Sequence, residues 1–382
     1  MTRKLRMGMV GGSLDAFIGG VHRMAALLDG QIEIVCGVFS SDPEKSKETG
    51  EALYLPEERC YNNYQEMILK EKELSDDIRM DFIAIATPNH VHAGPAILAL
   101  QNGFHVICDK PIALNTAEAE EIVAAVEKSG LVFALTHNYT GYPMVKEARH
   151  LIASGALGTI RKVIVEYPQG WLAASLESTG NKQATWRTDP EKSGAGGGLG
   201  DIGSHAENLA EYVTGARITE LCADLTIFVE GRRLDDDGNI LVRFDNGAKG
   251  ILQYSQIANG EENDLNFRVY GEKAGLQWKQ LEPNTLIFKT NSGTRLIRTG
   301  VGDLSDAAKA HTRIPAGHPE GYVEAFANIY RNFAKAVVAH NNGTTPDPVY
   351  DFPTAEDGLR GMKFMDTVLK SAASDEKWTQ FE

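Results

Sequence analysis

Three polar side chains, in two separate stretches, have the chemistry needed to oxidise an alcohol. SGAGGGLGDIGSH, residues 193–205, ends with Asp201 and His205 four positions apart, and FHVICDK, residues 104–110, ends with Lys110. Histidine can take a hydroxyl proton near neutral pH, a carboxylate can orient it, and a lysine cation can stabilise developing alkoxide charge. If the chain is helical from residue 201 onward, this spacing places Asp201 and His205 on one helix face. The pattern leaves open whether His205 alone takes the proton or shares that role with Lys110.

The glycine run that precedes Asp201 allows two interpretations. Six of the thirteen residues at 193–205 are glycine, and glycine-rich runs usually mark flexible linkers. Glycine also lets a backbone pass close to a ligand, where a side chain would obstruct it. Because the run leads directly into Asp201 and His205, we expect a loop that delivers the base rather than a linker between domains.

The chain up to residue 137 alternates apolar runs with segments of helical periodicity. The runs include LRMGMVG at 5–11, IEIVCGVF at 32–39 and MDFIAIAT at 80–87. Strands alternating with helices predict right-handed βαβ units and a parallel sheet covered on both faces. Residues 1–137 are therefore predicted to form an α/β Rossmann domain that binds a dinucleotide.

Residues 138–382 have a different pattern. Longer strand-like runs, including two joined by the turn Asp245–Gly247, follow a helical segment. Such runs predict an α+β domain with a large, mainly antiparallel open sheet. The exposed strands of such a sheet need cover.

A glycine turn follows the first predicted strand, where a Rossmann fold holds the cofactor's phosphates. The segment GMVGGSLDAFIGGVHR does not match GxGxxG as written, but the strand before it and the helix after it favour a dinucleotide site over a generic turn. The predicted contacts here are Gly11, Gly12, Ser13, Phe17 and Ile18.

The end of the second strand normally carries an acid that binds the adenosine ribose and disfavours NADP. In GVFSSDPEK the expected position is Ser40 or Ser41, with Lys45 nearby. These residues therefore leave the preference between NAD and NADP open, and NAD is the cofactor we expect.

Two further motifs end predicted strands, at the sheet edge where α/β folds hold ligands. IATPNHVH, 85–92, would follow the fourth strand of the sheet, and CDKPIALN, 108–115, the next one. Lys110 could be a solvated surface lysine. A position at the carboxyl end of the apolar strand VIC, after Asp109 and before a proline that fixes the backbone, favours a functional role.

These motifs, in this order, resemble the glucose–fructose oxidoreductase, inositol dehydrogenase and rhizopine-catabolism (Gfo/Idh/MocA) family. The resemblance covers essentially the whole chain, including the closing TAEDGLRGMKFMDTVLKSAASDEKW. It implies that DKP stands for the family's EKP motif, with Lys110 contacting cofactor and substrate hydroxyl, and that Asp109 replaces the usual glutamate. It also implies that TPN lies beside the nicotinamide ribose and that Asp201, Gly203 and His205 form the DxGxH motif. For residues 138–382 it implies a domain that binds the substrate and whose open sheet face supports a dimer or tetramer, which agrees with exposed strands needing cover. The glycine loop departs from the family pattern at Ser13 and by about three additional residues.

Further contacts follow from the resemblance and from side-chain chemistry. In ATWRTDPEK, Trp186 offers an apolar platform for a sugar ring and Arg187 a donor for hydroxyl or carboxylate groups. The remaining predicted cofactor contacts are Thr87, Pro88, Asn89, His92, Asp109, Lys110, Trp186 and Arg187. The predicted substrate contacts are Lys110, Tyr139, Tyr142, Trp186, Asp201, His205 and His318.

Composition excludes several classes of partner. The net charge is −14, which disfavours nucleic acid and anionic membrane surfaces and leaves a small molecule as the expected partner. No signal peptide or membrane span is recognisable, so a cytoplasmic location is expected. The four cysteines form no CxxC pair, so neither a metal site nor a disulfide framework is predicted.

The sequence thus predicts an NAD(P)-dependent dehydrogenase that oxidises a secondary ring hydroxyl of a cyclitol, a pyranose sugar or a sugar derivative. Two alternatives remain. One is a glycosidase that uses transient oxidation by bound NAD, and the other is a sugar-responsive regulator that binds the dinucleotide without catalysis. The presence of Lys110, Asp201 and His205 together disfavours the regulator, which needs no base.

Overall fold

The protein folds into two compact units. The computed structural model describes residues 3–382. The first unit contains the described residues up to Gly141 together with Tyr322–Leu359, and the second contains Tyr142–Gly321 and Arg360–Glu382.

Five parallel strands form the sheet of the first unit, in the order β2-β1-β3-β4-β5. The chain adds β2 on one side of β1 and β3 on the other, so the strand order reverses between β1 and β3. Ligands of doubly wound folds bind outside the carboxyl ends of the strands at such a reversal. The strands are β1 (Leu5–Gly11), β2 (Ile32–Val38), β3 (Phe82–Ala86), β4 (His105–Cys108) and β5 (Phe133–Leu135).

Helices connect these strands and confirm the predicted Rossmann fold. Asp42, Asn63 and Asn115 cap three of them by accepting hydrogen bonds from backbone N–H groups of the first turn. The helices are α1 (Phe17–Leu28), α2 (Pro43–Ala52), α3 (Tyr64–Glu73), α4 (Ala93–Gln101) and α5 (Thr116–Ser129). Because α2 and α3 both lie between β2 and β3, the strand before IATPNHVH is the third along the chain, whereas the sequence counted it as the fourth.

The second unit contains a nine-stranded sheet in the order β13-β12-β11-β10-β6-β9-β8-β7-β14. Neighbouring strands are antiparallel except β6 and β9, which are parallel. The predicted, mainly antiparallel sheet is therefore confirmed. Its strands are β6 (Ile160–Pro168), β7 (Ile218–Thr226), β8 (Asp237–Phe244), β9 (Lys249–Ser255), β10 (Asn266–Gly271), β11 (Gly275–Lys279), β12 (Thr285–Thr290), β13 (Gly293–Arg298) and β14 (Thr379–Gln380).

Burial alternates along the central strands of this sheet. On β8, Ile240 and Val242 are buried whereas Leu241 between them is 44% exposed. Alternation with period two is typical of a sheet with one covered face. The helices of the unit are α6 (Pro143–Ala153), α7 (Lys182–Arg187), α8 (Pro190–Ser193), α9 (Ser204–Thr214) and α10 (Asp306–Ala310).

The last two helices are α11 (Tyr322–Asn341) and α12 (Ala355–Ala372). Helix α11 belongs to the first unit, although the sequence placed everything after residue 137 in the second domain. Phe326 and Phe333 of α11 are buried in one cluster with Phe82 of β3. The periodicity of α11 indicates its apolar face but not the sheet that this face covers.

A substitution at Phe333 tests whether packing against Phe82 holds α11 in the first unit. Its ring is fully buried, 5.0 Å from the ring of Phe82 in an edge-on arrangement. We predict that Phe333→Ala lowers the free energy of unfolding by about 3–5 kcal/mol, because it leaves a cavity. Urea denaturation followed by circular dichroism measures this change. The control, His340→Ala at an exposed position of the same helix, should change it by less than about 0.5 kcal/mol, and equal effects would contradict the packing described.

Candidate active site

The glycine loop after β1 provides a cradle that no side chain occupies. Gly11 and Gly12 have φ angles of 81° and 76°, in the left-handed region that favours glycine. A Cβ on Gly11 would lie 2.5 Å from the carbonyl oxygen of Ala86, and a Cβ on Gly19 would lie 2.2 Å from the Cα of Gly12. The loop therefore lies directly against the start of α1, which suits a backbone that binds phosphate. Gly19 was not among the predicted contacts, although the double glycine in FIGGVHR is its sequence signal.

The other predicted residues of this loop have different environments. Ser13 is buried, and its hydroxyl donates to the carboxylate of Asp15. Phe17 begins α1 and is 69% exposed, whereas Ile18 packs against the core. Arg23 donates to the carbonyl oxygen of Gly12 and so supports the loop from α1. The structure thus gives Ile18 a packing role and adds Arg23 to the loop.

At the end of β2, side-chain hydrogen bonds stabilise the start of α2. The hydroxyl of Ser40 accepts from the backbone N–H of Asp42 at 3.1 Å, and the Asp42 carboxylate caps the helix. Ser41 is exposed. The ammonium of Lys45 lies 3.7 Å from the carboxylate of Asp15. Since the Asp42 carboxylate serves the helix, this end of β2 offers hydroxyls and one cation rather than a free acid.

His92 connects the loops after β3 and β4. Its Nε2 lies 2.8 Å from the carbonyl oxygen of Thr87, and its Nδ1 lies 2.8 Å from that of Pro111. The ring is fully buried, and burial lowers the pKa of His92 despite the opposing charge of Asp109. Both ring nitrogens therefore already have backbone partners, so His92 positions the two loops, and its contact with the cofactor stays a prediction.

The TPN segment offers one group suited to a ligand. The Thr87 hydroxyl oxygen is buried and has no hydrogen-bond partner within residues 3–382. Pro88 precedes the short 3-10 turn Asn89–Val91, and Asn89 is buried. A buried hydroxyl without a partner is costly, so a hydrogen bond from Thr87 to a bound cofactor would stabilise this edge.

Asp109 is the charged centre of the carboxyl edge of the sheet. Its Oδ1 accepts from the backbone N–H of Lys110 at 3.0 Å and from the Thr136 hydroxyl at 2.8 Å, and it lies 3.9 Å from Nε2 of His22. Burial raises the pKa of Asp109, but His22, Lys110 and Thr136 together outweigh burial and hold that pKa well below its usual range. The carboxylate is therefore charged at neutral pH beside Lys110, whose peptide bond to Pro111 is cis.

Three of the predicted substrate residues lie outside this cluster. Tyr139 is buried, 6.3 Å from the ring of Tyr322. Tyr142 is buried in the second unit and its ring packs 5.2 Å from that of Trp278. His318 is exposed, with Nδ1 3.0 Å from the carbonyl oxygen of Pro315. The two tyrosines thus pack within their units, and His318 lies on a surface turn.

His137, two positions before Tyr139 in the sequence, is also buried. Burial, assisted by the charge of Lys110, lowers the pKa of His137 to about 3. The ring is therefore neutral at pH 7 and a weak base, which favours His205 over His137 as a proton acceptor.

In the second unit, the glycine run leads into a π-helical turn and then a helix. The turn spans Leu199–Gly203 and α9 starts at Ser204, so the predicted helical conformation around Asp201 and His205 is confirmed. His205 is 6% exposed, and its ring lies 6.1 Å from that of Tyr167. Turns of this π-helical kind are frequent at functional sites.

The carboxylate of Asp201 is held by a cation and an amide. Its Oδ2 accepts from Nε2 of Gln256 at 2.8 Å and forms an ion pair with Nε of Arg187 at 3.3 Å. The Arg187 guanidinium lies 4.2 Å from the ring centroid of Trp186 and 5.9 Å from that of Trp171. The structure thus brings together the predicted Asp201, Trp186 and Arg187. Sequence reasoning missed Gln256 and Trp171, although Gln256 directly follows the end of β9.

Asp235 anchors the glycine run. Its carboxylate accepts from the backbone N–H groups of Gly197 and Leu199 and from the Tyr254 hydroxyl, each at 2.7 Å. A Cβ on Gly197 would lie 2.4 Å from the Asp235 carbonyl oxygen, and one on Gly203 2.9 Å from the Tyr254 ring. The sequence attributed these glycines to the approach of a ligand. In the structure they allow the approach of Asp235 and Tyr254, and the run is an anchored segment rather than a linker.

The described part of the chain contains neither a cluster of metal-ligating side chains nor a helix that could span a membrane. Residues 3–382 contain no group of three or more His, Cys, Asp or Glu residues arranged to hold a metal ion. None of their helices is both long enough and apolar enough to cross a membrane.

Known proteins resemble both units of this chain. Residues 5–139 match the model of the oxidoreductase family with an NAD-binding Rossmann fold, and residues 145–277 match the GFO/IDH/MocA C-terminal domain. An oxidoreductase of known structure from Sinorhizobium meliloti is 43% identical, with a TM-score of 0.89 over 99% of each chain. The fold and these matches define an NAD-binding oxidoreductase.

Two relatives have more specific descriptions. An inositol dehydrogenase homolog from Azotobacter vinelandii, solved with NAD+, is 33% identical, with a TM-score of 0.94 over 100% of this chain and 98% of its own. It was also solved with NADH and myo-inositol. The levoglucosan dehydrogenase of Pseudarthrobacter phenanthrenivorans is 27% identical over 336 residues, which cover 80% of this chain and 81% of that protein. The chain belongs to the Gfo/Idh/MocA oxidoreductase family, as its motifs predicted.

Substitutions at the two adjacent glycines of α1 test whether the glycine loop binds the cofactor. A Cβ at Gly19 would clash with the Gly12 backbone, whereas a Cβ at Gly20 would meet only the end of the Arg23 side chain at 4.0 Å. We predict that Gly19→Ala weakens NADH binding at least tenfold, because the phosphate loop must move away from α1, and that Gly20→Ala leaves it within about twofold. Fluorescence titration with NADH measures both affinities. Equal affinities of the two variants would contradict this structure of the loop.

Asp235 tests the anchoring of the glycine run. We predict that Asp235→Asn lowers the free energy of unfolding by about 1–3 kcal/mol, because an amide oxygen cannot replace both carboxylate oxygens as acceptors. Hydrogen exchange of the Gly197 and Leu199 amides should accelerate. The control is Asp237→Asn, because Asp237 lies two residues after Asp235, at the start of β8, and is partly exposed. This variant should leave the exchange of both amides unchanged. Protection of both amides in Asp235→Asn would show that the anchor lies elsewhere.

Proposed function

We propose that the protein is an NAD-dependent dehydrogenase that oxidises a secondary hydroxyl on the ring of a cyclitol or sugar. The observation that carries this proposal is the environment of Asp201, whose carboxylate is held by Arg187 and Gln256 four residues before His205. A carboxylate fixed in this way can orient and charge-stabilise a histidine that takes a proton. A protein that only binds a dinucleotide has no use for this arrangement.

The reaction divides between the cofactor and the side chains. The substrate carbon gives its hydride to NAD+, the hydroxyl gives its proton to a base, and the products are a ketone, NADH and the protonated base. We assign His205 as the base and Asp201 as the group that stabilises its cationic form. Lys110 supplies a positive charge for the oxygen while alkoxide character develops.

The residues near Asp201 support a ring polyol as the substrate class. Trp171 and Trp186 provide flat apolar surfaces of the kind on which a sugar or cyclitol ring packs. Gln256 and the Tyr167 hydroxyl, which donates to Asn263 at 2.8 Å, provide the polar groups that hydroxyl-rich ligands require. The relatives described as an inositol dehydrogenase homolog and a levoglucosan dehydrogenase agree with this class.

We also propose that copies of the chain associate through the outer face of the large sheet, as the family resemblance implied. Leu241, Ile251 and Ile164 form a row across β8, β9 and β6, in which each is the register partner of the next. Leu241 is 44% exposed, and the other two are partly exposed. A row of apolar side chains on the uncovered face of a sheet fits a dimer or tetramer contact.

Turnover with a panel of polyols tests the proposed function. Inositols, free sugars, anhydrosugars and glycosides are each incubated with NAD or NADP, and absorbance reports the reduced cofactor. We expect NADH formation with at least one ring polyol, and less activity with NADP. His205→Asn and Lys110→Met should each lower kcat by about 10²–10⁴-fold while NADH binding persists.

Matched substitutions on the surface control for nonspecific effects. His150→Asn and Lys128→Met lie on helices α6 and α5, and both should retain wild-type kcat. Full activity of His205→Asn would refute the assigned base. NADH binding without turnover of any compound would favour the regulator, and cleavage of a glycoside without net NADH would favour the glycosidase.

A further inference from the structure

His22, in the FIGGVHR segment of α1, is a buried polar residue that the proposed reaction does not use. It lies on α1 with no exposed surface, and its ring is 4.9 Å from the ring of Phe326. Its Nδ1 is 2.6 Å from the hydroxyl of Tyr330 on α11, and its Nε2 faces Asp109 at 3.9 Å. The three side chains thus form a polar row from α11 through α1 to the end of β4, inside the first unit.

The row determines which nitrogen of His22 carries a proton. Tyr330 is fully buried, and burial keeps the pKa of its hydroxyl well above the usual value, so the hydroxyl remains protonated. When this hydroxyl donates to Nδ1, the ring proton of a neutral His22 must lie on Nε2. The opposite tautomer would direct the Nε2 lone pair at the Asp109 carboxylate, which is unfavourable where water does not screen charge. A doubly protonated ring would also carry a proton on Nε2, so both acceptable forms present N–H to Asp109.

Asp109 links His22 to the backbone of Lys110. The same oxygen that faces His22 accepts from the backbone N–H of Lys110 and from the Thr136 hydroxyl. A carboxylate that accepts two hydrogen bonds and faces the His22 ring at 3.9 Å, with the three groups on three segments, has one favourable orientation. A change in the charge or rotation of Asp109 would therefore move the backbone that carries Lys110.

We propose that His22 and Tyr330 are positioning residues for Lys110. Tyr330 fixes the ring proton of His22 on Nε2, His22 holds the Asp109 carboxylate, and Asp109 holds the Lys110 backbone. The consequence for catalysis rests on the proposed function of Lys110. The tautomer and its dependence on Tyr330 rest only on the structure of the first unit.

Nuclear magnetic resonance tests the first link without substrate or cofactor. In protein labelled with ¹⁵N-histidine, the His22 signals are assigned by their absence from His22→Gln. We expect a proton on Nε2 of His22 in the wild type, and a mixture of tautomers in Tyr330→Phe, because the donor to Nδ1 is lost. A neutral His22 with its proton on Nδ1, or an unchanged spectrum in Tyr330→Phe, would overturn the proposal whether or not the protein is a dehydrogenase.

Kinetics test the link to Lys110 once a substrate is known. Tyr330→Phe should lower kcat about tenfold and leave the KM for the polyol within about twofold. Tyr61→Phe is the matched control, since it removes another buried hydroxyl of the same unit, which donates to Glu71 at 2.8 Å. Tyr61→Phe should leave kcat unchanged even if it destabilises the fold equally.

A double-mutant cycle separates positioning from general loosening of the structure. If Tyr330 acts through Asp109, Tyr330→Phe should have no further effect on kcat in an Asp109→Asn background. His22→Gln, whose amide can still donate to Asp109, should retain more activity than His22→Leu. Independent effects of Tyr330 and Asp109, or a wild-type kcat in Tyr330→Phe, would overturn the proposed link.

Discussion

Gly12 and Gly19 approach each other so closely that a Cβ on Gly19 would lie 2.2 Å from the Cα of Gly12. This contact determines how the chain turns from β1 into α1, and it holds the glycine loop against the start of the helix. The same helix carries Arg23, which supports the carbonyl of Gly12, and His22, which faces Asp109. The position of α1 therefore affects both the cofactor cradle and the neighbourhood of Lys110.

Three buried or partly buried carboxylates, one in the first unit and two in the second, each have their own set of donors. Asp109 is charged and accepts from the backbone of Lys110. Asp201 is held by Arg187 and Gln256. Asp235 is different, because burial raises its pKa although Tyr254 and the backbone N–H groups of the glycine run oppose that effect. Carboxylates without such partners would be costly in these positions, so each acid depends on the donors of its own unit.

The sequence predicted the features that depend on local pattern. Strand ends, glycine turns, Lys110 and the spacing of Asp201 and His205 can each be recognised within one short stretch of sequence. The two-domain architecture follows from the change of pattern after residue 137. Gln256, Asp235 and the pairing of His22 with Tyr330 were not visible, because each joins residues that are distant along the chain. Residue type alone also does not show a side chain's structural partners: His92 binds two backbone carbonyls, Tyr142 packs against Trp278, and the glycines near Gly197 make room for Asp235. Chemical type shows what a side chain can do, but burial and partners decide what it does.

Transfer of an isotope from substrate to cofactor is the most direct test of the central claim, that this chain removes hydride from a ring carbon bearing a hydroxyl. The polyol that the enzyme turns over is prepared with deuterium on the reacting carbon, and the NADH formed is analysed by mass spectrometry. We expect one deuterium in each NADH and a slower reaction than with the unlabelled polyol. NADH without deuterium would contradict hydride transfer from that carbon.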